Sequence, residues 1–135
     1  MKELVLYYSF SGHTKQVAEE FAQQNSLTAC EIRTQRKLST LVAYTVGIVK
    51  AIKGTGMPIA PPAMTFEGCE TAHIFAPVWA DGIAPPMNSA IALLPKGCEL
   101  RLRLVSQSGK SGEEMVTKRL QDAGYVVASY KDIRK

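Results

Sequence analysis

The sequence predicts an α/β fold built on a largely parallel sheet, and three observations carry that prediction. Short β-branched or aromatic runs alternate along the chain with longer stretches of helical periodicity. The first run, Leu4-Val5-Leu6-Tyr7-Tyr8, is apolar at every position, as expected of a central strand covered on both faces. The 135 residues fit one domain, and no linker, repeat or low-complexity tract divides them.

From Thr14 the spacing changes: Val17 with Phe21 and Ala18 with Ala22 are i, i+4 pairs, so a first helix runs to about Asn25 with one apolar stripe. Leu27 to Thr34 is a weaker strand, interrupted by Glu31 and Arg33, which suits a sheet edge. Leu38, Leu41, Val42, Thr45, Val49 and Ile52 trace the face of a second helix that Gly54-Thr55-Gly56 closes. Its opposite side, with Ala43, Tyr44, Gly47, Ile48 and Ala51, is also poor in charge. That side reads either as packed under the Pro58–Pro62 loop or as a contact with another chain. Ala72 to Val78 is the third strand and Pro85 to Leu94 the third helix, with its prolines in the first turn where a missing N–H does no harm. Glu99 to Val105 is the fourth strand. Ser111 and Glu114 have capping-box spacing at the start of a last helix, with Val116, Leu120 and Ala123 inward, that stops at Gly124. Tyr125 to Tyr130 supplies a fifth strand.

Composition excludes several classes. Hydrophobic residues make up 46% and charged residues 21%, ordinary for a globular chain, so disorder and collagen-like structure are ruled out. The longest uncharged stretches fall short of the ~18 apolar residues of a membrane span, and the opening residues do not read as a secretory signal. The expectation is a cytoplasmic protein with no membrane contact. Cys30, Cys69 and Cys98 are widely spaced, with no CxxC pair, which favours a reducing compartment and gives no zinc motif. The net charge of +4 is too diffuse to identify nucleic acid.

Right-handed crossovers bring every loop that follows a strand to the carboxyl edge of a parallel sheet, where open α/β folds bind ligands. Three of these loops have unusual composition. Ser9-Phe10-Ser11-Gly12-His13-Thr14 combines three hydroxyls, a glycine and the free N–H groups of a helix start, a cradle for a phosphate. It lacks a Walker lysine, which disfavours nucleoside triphosphate hydrolysis and fits a phosphate monoester better. An ordinary βα turn capped by Ser and Thr is the alternative. Pro77-Val78-Trp79-Ala80-Asp81-Gly82 places the only Trp on a proline-stiffened loop, as a stacking wall or as a core residue capping the sheet. In it, Gly82 is expected to take positive φ and let its peptide reorient. Ser106 to Gly112 is small and polar, with backbone N–H groups, Gln107, Ser108 and Gly109 among them, able to reach a heteroaromatic edge. Together the loops describe a site for a phosphorylated flat heterocycle.

These segments resemble the flavodoxin family, in its short members. The Ser/Thr-x-Ser/Thr-Gly-x-Thr phosphate loop of that family is matched by Ser9, Ser11, Gly12 and Thr14. A Pro-Val-Trp-x-Gly-x-x-Pro-Pro segment is matched by Pro77 to Pro86 with one extra residue before the glycine, and a small Ser/Gly loop by Ser106 to Gly112. The resemblance covers almost the whole chain, in order. It implies a three-layer α/β/α flavodoxin-like fold with a five-stranded parallel sheet of order 2-1-3-4-5, binding FMN between strands one and three, an arrangement that serves as the standard example for flavodoxin. Ser9, Ser11, Gly12 and Thr14 would hold the phosphate with the N–H groups of Phe10 and His13. Trp79 would flank the isoalloxazine, with Pro77, Val78, Ala80 and Asp81 around it, and Gly82 would carry the mobile peptide. Gln107, Ser108 and Gly109 would line the pyrimidine edge. The activity implied is electron transfer between protein partners or to small acceptors, and the alternative is a phospholigand-binding or regulatory module without redox work.

The chain departs from that pattern in charge. Many flavodoxins are acidic around the flavin, whereas Asp81 is the one acid near this site, which implies a less negative potential and different partners. His13 stands where a neutral polar residue is more usual, and reads as a phosphate ligand or a bystander. His73, inside the third strand, reads as a satisfied structural histidine. Arg33, Arg36, Lys37, Lys50 and Lys53 fall between Glu31 and Glu67 without an acid, a solvated face or a dock for an acidic protein or a nicotinamide nucleotide. Aromatics are not interleaved with these charges, which disfavours nucleic acid. A homodimer is the assembly that would supply extra walls to so short a chain.

Overall fold

The apolar run near the start of the chain sits in the middle of the sheet. β1 (Lys2–Tyr7) pairs in parallel with β2 (Ala29–Glu31) on one side and β3 (Cys69–Trp79) on the other. The computed structural model describes residues 2–35 and 43–135. β3 pairs in parallel with β5 (Glu99–Ser106), and β5 with β6 (Val126–Arg134). The two-residue strand β4 (Gly82–Ile83) folds back antiparallel on the end of β3. The order β2-β1-β3-β5-β6 is the expected five-stranded parallel order, with β4 as an addition. Among the described residues, four α-helices flank the sheet: α1 (His13–Gln24), α2 (Ile48–Lys53), α3 (Pro85–Ile91) and α4 (Glu113–Asp122). A π-helical stretch, Ala43–Gly47, leads into α2.

The period-two alternation of β1 divides the core. Leu4, Leu6 and Tyr8 pack with Ile74, Leu102 and Leu104 under α3 and α4, whereas Val5, Tyr7 and Phe75 pack under Ala18 and Ala22 of α1. α1 covers only β1, β2 and β3, and Arg103 closes its far border by lying over the Phe21 ring, 4.3 Å from its centroid. Beyond that border the same face turns polar, with Arg101, Ser129 and Lys131 exposed side by side.

Several sequence expectations change in three dimensions. Leu38, Leu41 and Val42 lie outside the described residues, as do the side chains of Ala43 and Tyr44. The rest of the second helix is turned over: Thr45, Val49 and Ile52 face solvent, and Gly47 and Ala51 are buried. Both faces are apolar in sequence, and small size decides between them. A Cβ on Gly47 would lie 2.7 Å from Cζ3 of Trp79, and a Cβ on Gly82 would meet the Ala51 carbonyl at 3.4 Å. Only a glycine-alanine face approaches the β3–β4 hairpin so closely. The Pro58–Pro62 loop instead pairs with the segment after β2, through a Thr34–Ile59 bridge. The capping box does not form. Gly112 takes the N-cap position of α4 without a side-chain cap, and the Ser111 hydroxyl bonds Tyr130 and Asp132 of β6 at 2.5 and 2.6 Å.

His73 is satisfied on both ring nitrogens. Arg103 Nη1, which can only donate, lies 3.1 Å from Nδ1, so Nε2 carries the proton and gives it to Glu3 Oε2 at 2.5 Å. Burial pushes the imidazole pKa down from 6.5; Glu3 opposes that shift and Arg103 adds to it. The unfolded ring therefore binds a proton more readily than the folded one. Its stabilising contribution is fully present above about pH 6.5 and is lost as the pH falls through the folded value. Denaturation midpoints are expected to drop on acidification below that point, and to drop less in His73→Gln; equal slopes in the two proteins would contradict this.

Cys69 and Cys98, distant in sequence, meet with their sulfurs 3.7 Å apart, and Cys30 is buried elsewhere. All three are thiols, and desolvation raises each pKa, to about 12 for Cys98. Inaccessible thiols of high pKa make poor nucleophiles. The folded protein is expected to resist an aromatic disulfide reagent and to release three equivalents only after denaturation. A fast-reacting thiol before unfolding would be the contrary result.

Candidate functional site

The turn between β1 and α1 ends on Gly12, the N-cap, at φ 101°. The Ser9 hydroxyl oxygen accepts the Gly12 N–H at 2.9 Å, which curls the loop and leaves the Ser9 hydroxyl proton free to donate outward. No side chain caps α1 and no acid lies in its first turn. The N–H groups of Ser11, His13, Thr14 and Lys15 consequently have no acceptor among the described residues. Thr14 is 3% exposed, yet its hydroxyl has no partner there either. Four amides at the positive end of a twelve-residue helix and one half-sequestered hydroxyl make a ready anion cradle.

The segment after β3 differs from the expected stiff loop. Pro77, Val78 and Trp79 belong to the strand, which turns through Ala80 and Asp81 into β4, with Trp79 paired to Gly82. A two-residue turn that matches strand twist requires positive φ at both central residues, and here these are Ala80 at 50° and Asp81 at 65°. Left-handed backbone at Ala80 costs roughly 1–2 kcal/mol. Gly82, expected to take positive φ, does not; it lies buried in β4, where its small size admits Ala51. The Asp81 carbonyl accepts the Gly112 N–H at 2.7 Å, tying the hairpin tip to the loop after β5. In that loop Ser106 Oγ accepts the Gly109 N–H at 3.0 Å, with Gly109 at φ 68°.

The three segments converge on one open cleft of about 560 Å³. Ser11, His13 and Thr14 line it from the first loop, Pro77, Val78, Ala80 and Asp81 from the hairpin, and Gln107 and Ser108 from the third. Gly12 and Gly109 shape the turns without lining it. Ser9 and Phe10 border a neighbouring hollow of about 350 Å³ with Tyr8 and Arg33. Lys110 and Lys135 also line the cleft, with Asp81 as its one acidic side chain. Sequence reading missed both, although Lys110 lies within the third loop; Lys135 arrives only because its N–H bonds the Ser106 carbonyl at 2.8 Å. A separate apolar crevice between α3 and α4 lies away from this edge, and its Tyr125 hydroxyl already donates to the Ile91 carbonyl at 2.8 Å.

Trp79 does not line the cleft. Its indole backs the hairpin, seated on Gly47, with the Tyr8 and Phe10 rings meeting it edge-on at centroid distances of 6.1 and 5.7 Å. A six-membered aromatic face needs apolar neighbours more than the sheet edge needs a wall, and the glycine supplies the seat.

No protein-family model matches the chain, and no curated protein matches it. Among solved structures, the chain is similar to a flavoprotein in complex with FMN from Lactobacillus acidophilus, with TM-score 0.74 and 19% identity over 96% of this chain and 91% of that one. It is also similar to a candidate flavoprotein from Bacteroides uniformis, with TM-score 0.76 and 22% identity over 96% and 87%. A third, from Bacteroides eggerthii, gives 0.73 and 18% over 96% and 86%. These likenesses show the flavodoxin-like fold.

Proposed function

We propose that this chain is an FMN-binding redox protein whose cofactor occupies the 560 Å³ cleft. The observation that carries the reading is the convergence of unpaired α1 amides and the partnerless Thr14 hydroxyl on a cleft within the ~300–1,000 Å³ range of cofactor sites. The FMN complex of the Lactobacillus acidophilus relative, which shares the fold, supports it. Ser9, Ser11 and Thr14 donate hydroxyls, and the N–H groups of Phe10, Ser11, His13, Thr14 and Lys15 close around the phosphate, while that of Gly12 stays on the Ser9 oxygen. Gln107 and Ser108 offer polar groups to a ring edge, while the Pro77–Asp81 hairpin forms the opposite wall and Trp79 holds that hairpin in place from behind. His13 faces the phosphate end.

Bound FMN supplies one- or two-electron transfer, so the protein needs no acid or base of its own. Lys110 and Lys135 oppose Asp81, a balance that favours added negative charge in the cleft and therefore a less negative potential than in acid-lined relatives. Electron exchange with a protein partner or a small acceptor in a reducing, cytoplasmic setting is the role that follows.

A second reading rests on the indole lying outside the cleft: the phosphate cradle exists without a stacking wall, so a non-redox phospholigand module fits the same residues. Potentiometry of the FMN-loaded protein separates them. Reversible reduction, at a potential that moves down in Lys110→Glu, is expected. A protein that stays colourless with FMN, yet binds other phosphate monoesters, would replace the first reading by the second.

A further inference from the structure

Six large hydrophobic side chains are exposed among the described residues, and four of them, Phe10, Val46, Val49 and Ile52, fall in one region. Val46, Val49 and Ile52 recur every three residues along the outer side of the π-helical stretch and α2, at 45, 50 and 57% exposure. The inner side of the same helix seats Trp79 on Gly47, and Phe10 meets the other edge of that indole. The apolar surface therefore runs from Phe10, at the hollow beside the cleft, down the helix, a grouping that marks contact sites more than scattered exposure does.

Its rim is cationic. Lys50 and Lys53 lie in the last turn of α2, and neither pairs with a carboxylate among the described residues. Arg33, beside the neighbouring hollow, adds no free charge to that rim, because its Nε pairs with Glu31 Oε1 at 2.5 Å. No acid occurs between Glu31 and Glu67, so no carboxylate on this stretch offsets the two lysines, of which Lys50 also donates to the Gly56 carbonyl at 3.4 Å. Two copies meeting through this face about a two-fold axis would set Lys50 and Lys53 against the same cations. A helix of six residues is also short for a membrane-surface anchor. Opposite charge around an apolar centre is what remains.

We propose that the outer face of α2, with Phe10 at its upper end, docks a partner protein whose contact patch is apolar in the middle and rimmed by carboxylates. It rests on the redox reading, because such a partner is the electron donor or acceptor that reading requires. A partner seated there lies on the far side of the helix from the hairpin that Trp79 supports and that lines the cleft.

The probe is a purified acidic two-iron, two-sulfur ferredoxin, with basic cytochrome c as its opposite, each titrated into the protein with and without FMN and followed by amide chemical shifts. Expected are shifts centred on residues 45–53 and Phe10 with the acidic probe alone, and affinity that falls as salt rises. Lys50→Glu with Lys53→Glu should weaken binding at least tenfold, and Val49→Ser with Ile52→Ser should weaken it at low and high salt alike. Thermal melting of each variant checks that the fold is kept, and Lys53→Glu alone provides the mildest version. Equal binding of cytochrome c, indifference to both pairs of substitutions, self-association that Val49→Ser and Ile52→Ser abolish, or equal affinity for anionic lipid vesicles would each overturn the proposal. Failure to load FMN with ferredoxin binding intact would count against the redox reading and leave the surface standing.

Discussion

Replacing Thr14 by Val is expected to weaken FMN binding about 10- to 100-fold while leaving riboflavin binding unchanged, because one hydrogen bond to a charged group is worth roughly 1.5–3 kcal/mol. The substitution keeps the β-branched shape and removes only a hydroxyl that bonds nothing among the described residues. Stability without flavin should therefore hold, since no buried side-chain oxygen among the described residues lacks a partner, so this hydroxyl is open to water and valine breaks no bond within the protein. Fluorescence titrations with the two flavins, beside a thermal melt, separate the phosphate role from a structural one. An FMN affinity unchanged in Thr14→Val would mean that the hydroxyl faces something else, and a lowered melting temperature would mean that it holds the loop.

Gly47→Val has the second large effect, and it acts from behind the cleft. The added Cβ would lie 2.7 Å from the indole, a separation real side chains do not tolerate, and two further methyls deepen the clash. The indole cannot retreat freely, with Tyr8 on one edge and Phe10 on the other. Overpacking of this kind costs about 1–3 kcal/mol, or very roughly 3–10 °C in melting temperature for a domain of this size. Trp79 is the only tryptophan, so intrinsic emission reports the displacement directly: a red shift is expected as the ring moves toward water. FMN affinity should fall with it, because Ala80 and Asp81 line the cleft from the same hairpin. Gly47→Ala should show both effects in weaker form. Unshifted emission together with full stability would show that the helix yields and the indole stays.

The sequence revealed the class of fold because Leu4 to Tyr8 form an unbroken apolar run and α1 carries a single stripe, patterns that local chemistry imposes. It located the first loop because a strand that turns into a helix through Ser, Gly and Thr leaves few other conformations open. It could not orient the second helix. Val49 and Ile52 are more hydrophobic than Gly47 and Ala51, but the hairpin selects for closeness, with Gly47 against the indole and Ala51 against Gly82. β4 was invisible because two residues carry no periodicity, so the chain after Pro77 read as a loop and Gly82 took on a role that the left-handed backbone of Ala80 and Asp81 fills instead. The capping spacing at Ser111 misled because Tyr130 and Asp132, far along the chain, compete for the same hydroxyl. His73 owes the hydrogen bonds on its two ring nitrogens to partners 70 and 30 residues away, beyond any local pattern. Lys135 reaches the cleft for the same reason, through the register of β6 on β5.

Calorimetric titration of the purified protein with FMN and with riboflavin, at two pH values on either side of the second phosphate ionisation, addresses the cleft most directly. Saturable one-to-one binding of FMN is predicted, at least tenfold tighter than riboflavin and tighter where the phosphate is a dianion. Equal affinity for the two flavins at both pH values, or no heat from either, would contradict the assignment of the α1 amides and the Thr14 hydroxyl to a cofactor phosphate.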